Sequence, residues 1–283
     1  MPQIVHNTRT MFSADGLSIF VQQWTPESPK AYVVIAHGLG EHSGRYQNVV
    51  DVLAPEGIAV VALDHRGHGK SEGQRGFVDS FGQFHDDLGR LIAQVGIDAK
   101  DKQVFLLGHS LGGLIALSYA LARPEGLSGV VSSGAALKLA VQVPAIKEIL
   151  GKLTSKIVPK LAMSNGLSPK DLSHDVKVVE EYEADPLVHD RVTARLFTEM
   201  SQAMLNTING AENLNLPCLV MHGGADPICD PEGSKAFYER VNQKDRTFLR
   251  YEGFYHEIFN EIGKEKPLAD VKDWLLARIE KTD

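Results

Sequence analysis

The chain has 283 residues and a mass of 31.0 kDa, enough for one large domain with room for an insertion. With 43% hydrophobic and 23% charged residues it reads as globular, and a net charge of −7 argues against nucleic acid, which selects basic surfaces. The opening "MPQIVHNTRTMF" lacks the apolar region of a signal peptide, no run approaches the roughly 18 apolar residues of a membrane-spanning helix, and two cysteines, Cys218 and Cys229, fit a reducing cytoplasm better than a disulfide framework.

In chain order, a hairpin is predicted to turn at Asp15-Gly16 and continue as "LSIFVQQW". "YVVIA" (32–36) is a buried strand followed by a helix over "YQNVVDVLAPEG". "IAVVAL" (58–63) is the next strand and leads into the Gly-rich loop "DHRGHGKSEG". "QVFLL" (103–107), "LSGVV" (127–131), "LPCLVMHG" (216–223) and "TFLRYEG" (247–253) complete the strands. A closing helix, "PLADVKDWLLARIEK", gathers Val271, Trp274, Leu275 and Ile279 on one face. Short apolar runs alternating with helical patterns predict an α/β fold with a mostly parallel sheet.

That alternation stops between about Ala136 and Ala211. Helical patterns punctuated by Pro144, Pro159 and Asn165-Gly166 fill the stretch, with no convincing strand. It is too long for a simple crossover, so residues 136–211 are expected to form an inserted helical cap, and 1–135 with 212–283 the core.

In "VFLLGHSLGGLIALSYA" (104–120) an apolar strand gives way to a helix at Gly108-His109-Ser110-Leu111-Gly112. A sharp strand-to-helix turn lifts its apex above the sheet edge, and the crowded backbone requires glycine two residues to either side. Gly108 and Gly112 meet that demand. The bland alternative is that Ser110 is only a helix cap. As a nucleophile Ser110 needs a base, and the base needs an orienting carboxylate, in the chain order Ser, acid, His. "LVMHGGADPICDP" offers Asp226 after a strand, with Asp230 as fallback, and "LRYEGFYHEIFNE" offers His256 after the last strand. The oxyanion would be met by the backbone N–H of Leu111 and of Leu39, in the loop "HGLG" after the first buried strand.

Other signals fail. Gly69-Lys70-Ser71 ends like a phosphate-binding loop, but Asp64 stands where its first glycine is required. "GLGEHSG" has the wrong spacing for a dinucleotide fingerprint. His37, His42, His65 and His68 lie on separate loops without a carboxylate at ligand spacing, so neither a metal nor any other cofactor is implied. Serine rather than aspartate at the elbow counts against a dehalogenase or epoxide hydrolase.

With these residues in hand, the chain resembles the α/β-hydrolase fold, and within it the monoacylglycerol lipase/lysophospholipase branch. "HGLGEHSGRY" (37–46), "DHRGHGKSEGQRG" (64–76), "GHSLGG" (108–113), "HGGADPICD" (222–230) and "YHEIFNE" (255–261) carry the likeness. The resemblance implies Ser110, Asp226 and His256 as catalytic residues, with Leu39 and Leu111 as oxyanion donors; relatives often have a smaller residue at the position of Leu39. It implies a lipid ester as substrate, most simply a monoacylglycerol, the alternatives being a lysophospholipase, a broad carboxylesterase or a hydrolase-fold receptor. It also places Glu41 and Arg45 near the polar end of the substrate pocket. The competing reading has Arg45 opening the next helix and pairing with a surface carboxylate.

Two further expectations concern the cap and a cysteine. "PAIKEILGKLTSKIVP" puts Ile146, Ile149, Leu150, Leu153 and Ile157 on one helical face, with Lys152, Lys156 and Lys160 at four-residue spacing. Residues 137–163 carry five lysines against one acidic residue. Such a helix either faces the core with a solvated lysine edge or forms a lid that touches anionic membrane or micelle surfaces. Cys218 lies inside a strand and should be inert. Cys229 follows Asp226 by three residues, and relatives often carry a cysteine there, near the glycerol group, so it is expected to be a reactive thiol at the pocket wall, the alternative being a buried thiol packed behind the acid loop.

Overall fold

The computed structural model describes residues 3–140, 151 and 153–279. Strands β1 (Ile4–Phe12) and β2 (Ser18–Pro26) pair antiparallel, from Ile4 opposite Pro26 to Phe12 opposite Ser18. Gly16 turns the hairpin at φ +88°, a conformation that favours glycine. Strand β3 (Ala31–Ala36) follows, then helix α1 (Gln47–Leu53), which tightens into a 3₁₀ turn over Ala54–Glu56 because Pro55 cannot donate to a continuing helix. Strand β4 (Ile58–Leu63), helix α2 (Gly82–Ala99), strand β5 (Gln103–His109), helix α3 (Leu111–Ala122) and strand β6 (Gly129–Ser133) complete the first half.

Between β6 and the next core strand, residues 151 and 153–157 are helical. Two three-residue strands, β7 (Ala162–Ser164) and β8 (Arg191–Thr193), then pair antiparallel. This corrects the expectation of a stretch without strands: the ladder joins segments almost thirty residues apart and leaves no alternating pattern to read. Helices α4 (Val176–Ala184) and α5 (Ala194–Gly210) are also here. The buried face of α5, with Leu196, Met200, Ala203 and Met204, packs in one cluster with Leu114 and Leu117 of α3, so this helix shares the core of the sheet domain.

The chain ends with β9 (Cys218–Gly223), helix α6 (Pro231–Arg240), β10 (Arg246–Tyr251) and helix α7 (Glu265–Ile279). The eight-stranded sheet has the order β1-β2-β4-β3-β5-β6-β9-β10, antiparallel as far as β4 and parallel from there to β10. Strands β3 to β6 and β9 are buried on both faces, which is why they read as unbroken apolar runs. Val34, Leu106 and Val220 face α2 and α3, while Val33, Ile35, Phe105, Leu107 and Leu219 face α1 and α7. Each such side chain stabilises the fold by roughly 1.5–3 kcal/mol. Val271, Trp274, Leu275 and Ile279 are buried on α7, the face that its periodicity predicts.

Candidate active site

The chain crosses from β3 outward to β4 and returns to β5 on the other side of β3. The crevice of an open α/β sheet lies where its order reverses in this way, here beyond Ala36 and His109. Two loops meet there: residues 37–42 and the turn at Ser110.

Ser110 has φ +54° and ψ −118°, a backbone conformation that costs a non-glycine residue of order 1–3 kcal/mol. The turn is held by Ser110 N–H donating to Ser133 O at 2.9 Å, and by Leu114 and Ala136 N–H donating to Ser110 O at 3.0 Å. A Cβ on Gly112 would stand 2.0 Å from Ala36 O, and one on Gly108 would stand 2.1 Å from Gly112 O. Both glycines are therefore required by backbone approaching backbone. Leu111 opens α3, so its N–H is among the helix's free first-turn donors at the positive end of the dipole.

Asp226 and His256 come together from the loops after β9 and β10. His256 Nδ1 lies 2.6 Å from Asp226 Oδ2, and both side chains are buried. The other carboxylate oxygen, Oδ1, accepts the N–H of Ile228 at 2.8 Å and of Cys229 at 3.0 Å. Burial alone would raise Asp226, but the imidazoles of His256 and His222 hold it well below the usual carboxylate range. For His256 burial works downward, and the Asp226 carboxylate overrides it and raises the imidazole above its ordinary 6.5. Asp230 is elsewhere: it caps α6 through Glu232 N–H and pairs with Lys138 Nζ at 2.6 Å.

The loop after β3 is braced from inside. Glu41 Oε1 accepts Gly38 N–H at 2.6 Å and the Tyr46 hydroxyl at 2.8 Å. Arg45 donates to Glu41 Oε2 at 3.1 Å and forks onto Glu257 at 2.5 and 2.9 Å, with Tyr182 beneath its guanidinium at 4.7 Å. Burial raises Glu257, but Arg45 overrides it and brings the carboxyl down to about 2. The pairing of Arg45 with a surface carboxylate is thus corrected. Its partners are two buried carboxylates, because Arg45 projects toward the His256 loop instead of toward solvent. Leu39, half-buried, packs against the apolar cluster of α2 and α3.

Cys229 lies on the acid loop, its N–H on Asp226 Oδ1 at 3.0 Å and its thiol on the side of Ser110. It is only 1% exposed, and burial raises the thiol well above its ordinary 9.0. The expectation of a reactive, solvent-reached thiol is corrected: residues 138–140 form a bridge over 228–230 and close the loop, with Ala140 N–H on Ile228 O at 3.0 Å. Burial likewise pushes Cys218 up to about 12.

Histidines read as lying on separate loops are in contact. The His37 ring centroid is 4.3 Å from that of His65 and 5.3 Å from that of His68, and His189 packs on His68 at 4.8 Å. Among the described residues no group of three or more His, Cys, Asp or Glu is arranged to hold a metal ion. The sequence reading missed His222 and Glu257. Histidine at the end of an otherwise apolar strand was a usable signal for the first, whereas the partner of Glu257 is 212 residues away and leaves none.

Together the turn, the imidazole–carboxylate pair and the N–H groups of two loops can perform acyl transfer through a serine. The chain matches the family model described as "Serine aminopeptidase, S33" over residues 27–263. It is 34% identical over 284 residues to the monoacylglycerol lipase of Mycolicibacterium smegmatis, covering 98% of this chain and 100% of that protein. It is 36% identical over 273 residues to an uncharacterized abhydrolase domain-containing protein of Dictyostelium discoideum, across 95% of this chain and 29% of that protein. The crystal structure of Paleococcus ferrophilus monoacylglycerol lipase superposes with a TM-score of 0.84 at 36% identity, covering 98% of this chain and 99% of that one. The chain therefore belongs to this serine-hydrolase family of the α/β-hydrolase fold, and within it to the monoacylglycerol lipase group.

Proposed function

We propose that the protein hydrolyses the ester bond of monoacylglycerols, with Ser110, His256 and Asp226 as its triad. The observation that carries this reading is the 2.6 Å contact of His256 with Asp226, the His256 ring lying 4.8 Å from that of His109 next to the strained Ser110, in a chain that aligns end to end with a monoacylglycerol lipase. Ser110 Oγ forms a bond to the ester carbonyl carbon while its proton passes to His256 Nε2. The oxyanion so formed takes hydrogen bonds from Leu39 and Leu111 N–H. His256 then returns the proton to the departing glycerol oxygen, and a water activated by the same imidazole releases the fatty acid. Asp226 holds the ring and stabilises its protonated form.

In this reading Glu41 and Arg45 act behind the substrate. Glu41 fixes the Gly38 peptide next to Leu39, and Arg45 clamps that loop to Glu257 beside His256. The described part of residues 136–211 serves as a cap over the strand ends, anchored through α5 in the core of the sheet domain. The loop after β3 is tied to them by His189 N–H on Gly40 O at 2.8 Å and by His42 Nε2 on Asp185 Oδ2 at 2.8 Å.

The cap also supplies a lipid-facing edge. Leu153, Ile157, Val158, Leu161, Met163 and Leu167 are all exposed, with Lys156 and Lys160 exposed among them. Of the face predicted over 146–157, residues 146, 149 and 150 and Lys152 lie outside the described residues. Apolar side chains interleaved with lysines suit peripheral contact with an anionic membrane or micelle. No described helix is long and apolar enough to cross a membrane, and two free buried thiols fit a reducing compartment.

A panel of monoacylglycerols of rising chain length, with di- and triacylglycerols and lysophospholipids alongside, tests the assignment. Release of fatty acid predominantly from monoacylglycerols is the expected result. A preference for lysophospholipids, or uniform activity on all esters, overturns it.

A further inference from the structure

Asp226 carries a second imidazole. His222, the fifth residue of β9, is fully buried, with Nε2 3.1 Å from Asp226 Oδ2 and 3.1 Å from the Cys229 carbonyl oxygen. Its Nδ1 is 2.7 Å from the hydroxyl of Ser234, which is itself buried in α6. Nε2 thus faces two acceptors and must carry the hydrogen, while Nδ1 accepts from the Ser234 O–H; the tautomer follows from the partners. The result is one continuous chain of hydrogen bonds, Ser234 to His222 to Asp226 to His256.

We propose that His222 is a positioning residue of the acid–base pair: its Nε2–H holds Asp226 Oδ2 in line with His256 Nδ1 and shares that oxygen's negative charge, which sets the pH at which His256 becomes the free base. The proposal rests on reading Ser110, His256 and Asp226 as the triad.

The carboxylate geometry carries the inference. Oδ1 is fixed by two backbone N–H groups, from Ile228 and Cys229. Oδ2 has one donor besides His256 among the described residues, and that donor is His222. Without it the oxygen facing the catalytic imidazole would be held only by the ring it is meant to hold. The electrostatic consequence has a definite sign. A donor on Oδ2 stabilises the carboxylate and weakens its pull on the His256 proton. Removing the donor strengthens that pull, so His256 titrates at higher pH and the acid limb of activity moves up with it.

Other ionisable groups also face the pair. They are His109 from β5, its ring 4.8 Å from that of His256, Glu257 next in the chain, Glu41 from the loop after β3, and the Cys229 thiol. None of these side chains contacts the His222 ring, which touches Cys229 only through its backbone carbonyl, so a displaced limb reports His222.

The test measures kcat and KM from pH 5 to 9 on a soluble short-chain monoacylglycerol, for wild type, His222→Leu, His222→Gln and Ser234→Ala. Fluorophosphonate labelling and a thermal melt accompany each protein. In His222→Leu the acid limb of kcat/KM should rise by roughly half a pH unit or more and kcat should fall about tenfold, with KM within about twofold of wild type. His222→Gln keeps an N–H toward Asp226, so its limb should stay close to that of wild type. Ser234→Ala leaves the ring in place but frees it, giving a smaller shift in the direction of His222→Leu. If folded His222→Leu and His222→Gln share the wild-type limb, His222 only fills space and the proposal fails. Should His222→Leu not fold, an unmoved limb and unchanged kcat in Ser234→Ala overturn it instead. Labelling of Ser110 in wild type separates the two levels. Absent label defeats the triad reading and this proposal with it, whereas present label with unmoved limbs defeats this proposal alone.

Discussion

Around Ser110, His256 and Asp226 the charged side chains are enclosed and paired, whereas residues 153–167 turn six large apolar side chains toward water. The first arrangement is costly to assemble and stiff once made. Desolvating Arg45, Glu257 and Asp226 is offset only by hydrogen bonds in good geometry, and those bonds fix the loops that would present donors to an oxyanion. The second contributes nothing to folding that the structure shows. Leu153 is 54% exposed and Ile157 is 69% exposed. Pairing in one place and exposure in the other set a rigid floor against an apolar edge left open to water.

The largest effect should come from the floor's centre. Ser110→Ala should lower ester hydrolysis about 10⁴-fold or more and abolish fluorophosphonate labelling, with the melting temperature little changed. Mass spectrometry that maps the label to another serine would break the assignment. Next is the clamp. Glu257→Ala leaves the Arg45 guanidinium buried beside Glu41 alone, which should cost about 3 kcal/mol of stability. Chemical denaturation gives the number directly, and a loss below about 1 kcal/mol would mean that the clamp is looser than its 2.5 Å contact implies.

How far this contrast could be read in the sequence depends on the range of the interactions. The parallel strands, the Ser110 turn and the loops bearing Asp226 and His256 leave local marks: apolar runs, glycines two residues either side of a serine, and acid and base following strands. Arg45 with Glu257 leaves none, because the pair exists only once β3 and β10 deliver their loops to the same end of the sheet. The β7–β8 ladder was missed for the same reason, since Met163 faces solvent and pairs with Val192 from far along the chain. The histidines of "HG" and "DHRGHG" were seen but read as separate, although His65 N–H donates to His37 Nε2 at 2.8 Å. Chain order admits both Asp226 and Asp230 as the partner of His256; the Gly-rich turn directly after the strand favoured Asp226, whereas the second histidine on that acid needed coordinates.

Those histidines sharpen the comparison through pH. Burial lowers His37 to about 3, His85 and His109 to about 4, and His65 and His68 well below 6.5. A histidine depressed in the folded protein stays neutral while its unfolded counterpart takes up a proton. Stability is therefore full above about 6.5 and falls as the pH drops toward 4, by roughly 1.4 kcal/mol per unit for each such group. His256, raised in the fold, adds stability that is already complete below 6.5 and is lost only at higher pH, so it does not alter the slope in this window. Melting temperatures should fall between pH 6.5 and 4, and a flat profile would show that these rings are hydrated.

The exposed edge predicts a smaller effect, and on a different observable. Ile157→Glu should weaken binding to anionic vesicles several-fold, with added salt weakening wild-type binding as well, while hydrolysis of a soluble ester stays within about twofold. Co-sedimentation measures the first and a chromogenic assay the second. Equal binding of variant and wild type would leave the exposed side chains without a lipid role.

The smallest effect expected is none, and it bears on whether the floor stays closed. Cys229 lies beside Asp226 on the acid loop, so a bulky adduct there would disturb the pair with His256, yet its thiol is buried and disfavoured as thiolate. Alkylation proceeds through the thiolate, and burial lowers both its population and its access. Treating the native protein with N-ethylmaleimide at neutral pH for minutes should leave monoacylglycerol hydrolysis unchanged, with both cysteines becoming reactive only on unfolding. Cys229→Ala serves as the control, because it removes the target while keeping the N–H that Asp226 accepts. Rapid inhibition of wild type with resistance in Cys229→Ala would show that residues 138–140 lift from the acid loop in solution, which would make the floor the mobile partner and reverse the contrast with the cap edge.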